Sequence, residues 1–338
     1  MKVARVLAAT FTLALAGALA PVGPALASDR EPASAHAVTA TGSVFDPNPV
    51  VTLGDSALAD PAHRTESVLR AAYVMRPLAN LDGSGYLRGA YADVRGRGGA
   101  THWDHRVFDY PSSDRRFGPV MAYYGVTRSQ EYIRSLGFTR INAEPQAVRV
   151  NKSGRDASAY VAHKDEIDLG KGGIDDAQDL EVIWRMYGLA VLDDQAPGFG
   201  AGHDAASIRQ GFADYWAATM SEPVSDGVGV TCIGEWNAIV LVPGPPFCQA
   251  RVDSVLTMAD ANGDPTHDGQ IWARALWDIH VEFSRPIADS FILASLASLS
   301  RDTSFSEAAR ETVDSADRIG GTNAARVVRK FFQARGIL

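Results

Sequence analysis

Apolar and polar positions change rhythm near residue 118. From Val44 to about Gly118, short apolar or alternating pieces ("VVTL", "YLRGAYADV", "HRVFDY") are separated by Gly, Pro, Asp and Asn. That pattern predicts short strands and turns. The next stretch, "PVMAYYGVTRSQEYIRSLGF", sets Met121, Tyr124, Val126, Tyr132, Ile133 and Leu136 at helical spacing, with Gly137 as a C-terminal cap. "AVRVN" predicts a strand, and "AYVAHKDEIDLGKGGID" a hairpin or an extended loop. Beyond Asp175 the periodicity is helical. Asp176 to Val191 is apolar on nearly every side, as in a helix enclosed by a core. "HDAASIRQGFADYWAATMSE" predicts a second helix. The long run "DGQIWARALWDIHVEFSRPIADSFILASLASL" should break near Pro286. "SFSEAARETVDSAD", opening around Ser306, and "TNAARVVRKFFQARGIL" close the chain. There is no internal repeat. A β-rich half followed by a helical half reads as α+β, divided into a β-rich part 44–150 and a helical part 151–338.

The first residues obey a different logic. Lys2 and Arg5 precede an apolar run from Val6 to about Ala20, and Ala25-Leu26-Ala27 has the small-x-small form of a cleavage site. Residues 1–27 read as a secretory signal peptide, and 28–43 as a flexible, polar N-terminus. No later stretch has the ~20 apolar residues of a membrane span. The expected localisation is therefore secreted, with no membrane attachment after cleavage. Export bears on Cys232 and Cys248, the only cysteines among 338 residues. In an oxidising compartment such a pair is expected to form a disulfide. Apolar residues make up 46% of the chain, enough for a sizeable core, and the net charge of −8 disfavours a nucleic-acid partner.

Seven blocks resemble the thermolysin-like zinc peptidases, most closely the bacterial fungalysin-type enzymes. They are "VFDPNPVVTLGD", "LDGSGYLRGAYADV", "AYYGVTRSQEYIRSLGF", "GKGGIDDAQDLEVIWRMYGLAVLDDQAPGFG", "GFADYWA", "GEWNA" and "DGQIWARALWDI". They follow the family's order and span most of 44–338. The resemblance implies a two-lobed fold with a peptide-binding cleft between the lobes. It also implies an H-E-x-x-H helix. The two histidines of that motif bind zinc on one helix face, and the glutamate activates the zinc-bound water. A glutamate on the next helix is the third ligand, and an aspartate four residues later orients a ligand histidine.

The matching positions here carry other chemistry. The histidines align with Arg185 and Leu189, the base with Met186, and the third ligand with Gln210. Leucine offers no lone pair and arginine repels a dication, so zinc is expected to be lost and no catalytic residue to be intact. Tyr187 of the helix motif and Asp214 of the outer shell survive. The guanidinium of Arg185 is expected to replace the lost cation by pairing with Asp214, and also with Glu181 one turn earlier. The family's transition-state histidine aligns by ungapped register with Thr266, which leaves His267 as either a slipped counterpart or a loop residue.

The function this implies is a secreted pseudopeptidase that holds a peptide or protein ligand in its cleft. Two alternatives remain open. One is a residual hydrolase, either a peptidase or a GDSL-type esterase using Ser56, Asp264 and His267. The other is a structural paralogue with no ligand. Asp260, Asn262, Asp264 and Asp268 resemble the start of an EF-hand loop. Pro265 at the sixth position and Ile271 at the twelfth make calcium a weaker reading than an acidic turn. His102 and His105 read as surface or strand histidines, and Trp272 and Trp277 as core.

Overall fold

The computed structural model describes residues 37–95, 102, 105–152, 157–225, 227, 229–241 and 244–338. The signal-peptide reading of 1–27 lies outside these residues. So does most of the flexible segment, but its last six residues are ordered in strand β1 (Val38–Phe45). Ala40, Val44 and Phe45 are buried there. Gly42 lets the strand lie against a neighbouring helix and strand, since a Cβ would crowd Val120 and Leu78.

Two short helices follow, α1 (Pro49–Leu53) and α2 (Glu66–Leu69), and then strands β2 (Tyr73–Leu81), β3 (Ala92–Arg95) and β4 (Val107–Phe108). α1 is where "VVTL" predicted a strand. Pro49 starts the turn, the Asn48 side chain accepts from Val51 N, and Gly54 ends it in the left-handed region. Cap chemistry here outweighs the β preference of the two valines. One sheet has the order β2-β1-β4, with β1 antiparallel to β2 from Val38↔Leu81 to Phe45↔Tyr73 and parallel to β4.

Next come α3 (Phe117–Ser135) and the strands β5 (Gln146–Arg149), β6 (Ala159–Val161) and β7 (Glu166–Asp168). A second sheet has the order β3-β5-β7-β6, and β6 and β7 form the hairpin foreseen for that segment. The sheet begun before residue 150 is thus completed after it. α3 ends at Gly137 as its periodicity predicted, with that glycine at φ 94°.

The helices α4 (Leu180–Gln195) and α5 (His203–Ser221) lead to strand β8 (Cys232–Ile233), the short α6 (Glu235–Ala238) and strand β9 (Ala250–Arg251). α7 (Pro265–Phe283), α8 (Arg285–Leu296) and α9 (Phe305–Ala334) complete the chain. α4 begins four residues later than its apolar run suggested. A 3-10 turn covers Asp176–Gln178, and extended Asp179 caps the helix by accepting from Glu181 N. The predicted break near Pro286 falls at Ser284, φ 67°. The last helix opens at Ser304, not Ser306, in a capping box with Glu307, and it kinks at Gly321.

The core is mostly aromatic and branched side chains between these helices: Trp184, Tyr187, Phe212, Tyr215 and Trp216 are all fully buried. Trp272 stacks on Phe332 at 5.1 Å, which makes it the core residue expected. Three helix crossings depend on glycine. A Cβ at Gly125 of α3 would sit 2.9 Å from Ile183 of α4, and one at Gly188 of α4 would sit 3.0 Å from Trp216 of α5. A Cβ at Gly211 of α5 would overlap the Gly269 carbonyl of α7. Cys232 and Cys248 form the expected disulfide, Cα–Cα 5.2 Å, beside the β8–β9 ladder. Among the described residues no helix is long and apolar enough to cross a membrane.

The α5–α7 crossing makes the sharpest stability test. Gly211→Ala forces two backbones apart and should cost about 2 kcal/mol, read as a lower urea midpoint. Gly244→Ala, where a Cβ meets nothing within 4 Å, should leave the midpoint in place.

Candidate functional site

α4 is enclosed on nearly all sides, so each polar group on it must find a partner inside the protein. Trp184 donates Nε1–H to the Gly125 carbonyl at 3.0 Å, and the Tyr187 hydroxyl donates to Gln130 Oε1 at 2.7 Å. Tyr187 of the helix motif is therefore turned into the α3 interface and fully buried. One residue along a helix is a rotation of about 100°, so Tyr187 cannot share the direction of Met186.

Arg185 reaches α5, where its Nε lies 2.5 Å from Asp214 Oδ1. Asp214 is fully buried, and the arginine side chain is 16% exposed. With its amide oxygen turned toward the guanidinium, Gln210 accepts from Arg185 Nε at 3.3 Å and from Nη2. Three of the positions singled out by sequence, 185, 210 and 214, thus meet in one cluster. Met186 and Leu189 are buried in the core beside it. Arg185 and Met186 also line a cavity of about 200 Å³, with Ser158, Asp176, Asn237 and Gln249 supplying its polar wall.

This donor set does not suit zinc. Position 185 carries a fixed cation, 189 a hydrocarbon, and 210 an amide already bound to the guanidinium. Among the described residues, no group of three or more His, Cys, Asp or Glu is arranged to hold a metal ion.

Glu181 does not join Arg185. It turns the other way into a buried layer that sequence reasoning missed. Its Oε1 accepts from Ser221 Oγ at 2.5 Å and its Oε2 from Gly234 N at 2.7 Å. Asn48 Nδ2 lies 3.4 Å from Asp179 Oδ1, 3.4 Å from Glu181 Oε2 and 3.5 Å from Glu235 Oε2. Burial, then the Glu181 charge, pushes Asp179 up to about 8. Burial, then the Glu181 and Asp179 charges, pushes Glu235 up to about 12. Burial raises Glu181 as well. The layer therefore keeps protons at neutral pH. Its members are separated by up to 187 residues, and no local spacing announces them. Its members fall in three separate blocks, "VFDPNPVVTLGD", "GKGGIDDAQDLEVIWRMYGLAVLDDQAPGFG" and "GEWNA".

The other candidates lie apart. His267 Nδ1 is 2.9 Å from Asp268 Oδ1, and His203 Nε2 is 3.0 Å from Asp268 Oδ2. Burial raises the Asp268 carboxyl, but the bonds from His267, the Asn262 and Gly263 amides and His203 outweigh it and hold it at about 2. Asp264 is not the partner of His267. It caps α7, accepting from Thr266 N at 2.9 Å. Ser56 lines a separate apolar cavity that includes neither Asp264 nor His267. The esterase constellation is therefore not assembled. The acidic loop likewise serves turns and caps: Asp260 accepts from Thr257 N, and Asn262 from Asp264 N. His102 packs edge-on against Tyr86.

The sequence matches no protein-family model and no curated protein. Among solved structures the chain is similar to the precursor of protealysin, a metalloproteinase from Serratia proteamaculans. The TM-score is 0.57 at 14% identity, covering 72% of this chain and 82% of that one. The likeness is one of fold: a mixed α+β architecture shared with a metalloproteinase precursor.

Two measurements probe the site. Arg185→Met strands the buried Asp214 charge and should cost about 3 kcal/mol in chemical denaturation. Asp179 has a raised pKa, so its contribution is present below its unfolded value and lost as pH climbs toward about 8. Asp179→Asn keeps the cap and cannot ionise. Its stability relative to the native chain should improve steadily from pH 5 to pH 8, and a pH-independent difference would contradict the buried titration.

Proposed function

We propose that this chain is an exported pseudopeptidase: a thermolysin-like, fungalysin-type fold that holds a peptide or protein segment in its cleft without zinc-dependent hydrolysis. One observation carries the reading. Arg185, at the position that the resemblance matches to a metal ligand, closes onto Asp214 and Gln210, so a cation is supplied by the chain itself. Met186 provides no proton acceptor beside it.

The β-rich segment 44–150 and the helical segment 151–338 are, on this reading, the two lobes flanking the cleft. The cavity beside Arg185 is lined by hydrogen-bonding Ser158, Asn237 and Gln249 and by apolar Val182, Met186 and Leu241. That is a lining suited to one side chain of an extended peptide. Export rests on the signal-peptide pattern, and the Cys232–Cys248 disulfide is in keeping with an oxidising compartment.

Metal analysis of the purified protein together with a casein cleavage assay tests the central point. Less than stoichiometric zinc and no chelator-sensitive proteolysis are expected. Stoichiometric zinc with cleavage abolished by a chelator would overturn the reading. The exported chain should begin at Ser28 by N-terminal mass spectrometry.

A further inference from the structure

A cavity of about 440 Å³ opens between strand β2 and helix α3. Asp46 lines it, with its side chain fully buried. A buried carboxylate needs partners, and this one has two cations. Arg76 of β2 donates its Nε–H to Oδ2 at 2.9 Å, and Arg128 of α3 donates from Nη1 to Oδ1 at 2.8 Å. The Tyr124 hydroxyl donates to Oδ2 at 2.9 Å. Arg128 also lies over the Trp184 ring, 5.5 Å from its centroid, which helps to hold the guanidinium in place.

Asp46 cancels only one of these charges, since both guanidiniums stay protonated at any ordinary pH. Among the described residues no other carboxylate forms an ion pair with Arg76 or Arg128. Both side chains line the cavity and remain accessible, at 40% and 23% exposure. Glu131 lines the same cavity from an exposed position. It stands three residues beyond Arg128 on α3, and so adjoins it on one helix face. Asn80 Nδ2 donates to its Oε1 at 2.7 Å, but no ion pair joins it to either arginine. The cavity thus holds one uncancelled cation and one uncancelled anion, side by side and unpaired. Pro77, Ala79 and Val224 add an accessible apolar surface.

We propose that this cavity binds a free α-amino acid with an apolar side chain. Its carboxylate accepts from Arg76 and Arg128, its ammonium donates to Glu131, and its side chain packs against Pro77, Ala79 and Val224. Charge selects this class of ligand. A simple anion leaves Glu131 without a cation, and a simple amine leaves the second guanidinium without an anion. A free amino acid carries both charges on one carbon. The space is sufficient, because a cavity of about 150 Å³ already accommodates benzene. Asp46 holds the arginines before any ligand arrives, which lowers the ordering cost of binding. The site shares no lining residue with the cavity beside Arg185, so its failure would leave the pseudopeptidase reading untouched.

The test is isothermal titration calorimetry of the full chain with L-leucine, N-acetyl-L-leucine and L-leucinamide. The second probe lacks the ammonium and the third lacks the carboxylate, while the side chain is kept. Leucine is expected to bind about ten-fold more tightly than either. Arg76→Met leaves Asp46 paired with Arg128 and Tyr124, and should weaken leucine about ten-fold. Glu131→Gln keeps an oxygen for Asn80, and should erase the preference for leucine over N-acetyl-leucine. Equal binding of leucine and N-acetyl-leucine to the native chain would overturn the proposal, as would leucinamide binding as tightly as leucine. So would a leucine affinity unchanged in Arg76→Met, a preference that survives Glu131→Gln, or no binding of leucine at millimolar concentration. The comparison of the three probes on the native chain decides the matter even if a variant fails to fold.

Discussion

The enclosure of α4 sets the terms for the rest of the structure. Over its first three turns a helix with core on nearly every side sends almost no polar side chain fully to water. Each such group needs a partner from another element, and those partners tie distant segments together. Trp184 and Tyr187 bind α3, Arg185 binds α5, and Asp179 and Glu181 bind Asn48, Ser221 and the α6 region. The same enclosure explains the glycines at the crossings. Gly125 and Gly188 let α3, α4 and α5 approach until indole and backbone touch.

Two electrostatic solutions coexist within a few turns of this one helix. Around Arg185, a fixed cation meets one carboxylate, and the charges cancel without a proton. At the helix start, Asp179, Glu181 and Glu235 face one another and accept from amide and hydroxyl donors, and protonation replaces ion pairing. The difference follows from the partners. A guanidinium stays charged at any ordinary pH, whereas buried carboxyls relieve repulsion by taking up protons. The second cluster is the one whose charge responds to pH.

Local signals were legible where one segment carried them whole. The periodicity of α3 and its Gly137 cap, the β6–β7 hairpin, the break before Pro286 and the pairing of the two cysteines were all visible in short windows. Errors arose where a local signal had a competitor. "VVTL" has β-favouring residues, but Asn48, Pro49 and Gly54 impose a helical turn. Asp179 interrupts an apolar run because its carboxylate caps the backbone. Val38–Ser43 looks weakly patterned, yet it pairs along the length of β2, and the ladder supplies order that its composition does not.

Sequence alone determined that this chain mixes α and β elements, that it has a disulfide loop, and that one helix carries Arg185, Met186 and Leu189 at the positions the resemblance matches to metal-binding groups. It did so because residue identity and helical spacing are local properties. Only the tertiary structure decided which carboxylate Arg185 would choose. Glu181 lies one turn away on the same helix, yet it is drawn toward Ser221 and Gly234, leaving Asp214 on α5 to receive the guanidinium. It alone brought Asn48, Asp179, Glu181 and Glu235 together. Such contacts depend on how helices and loops close in space, and no window of sequence contains that distance.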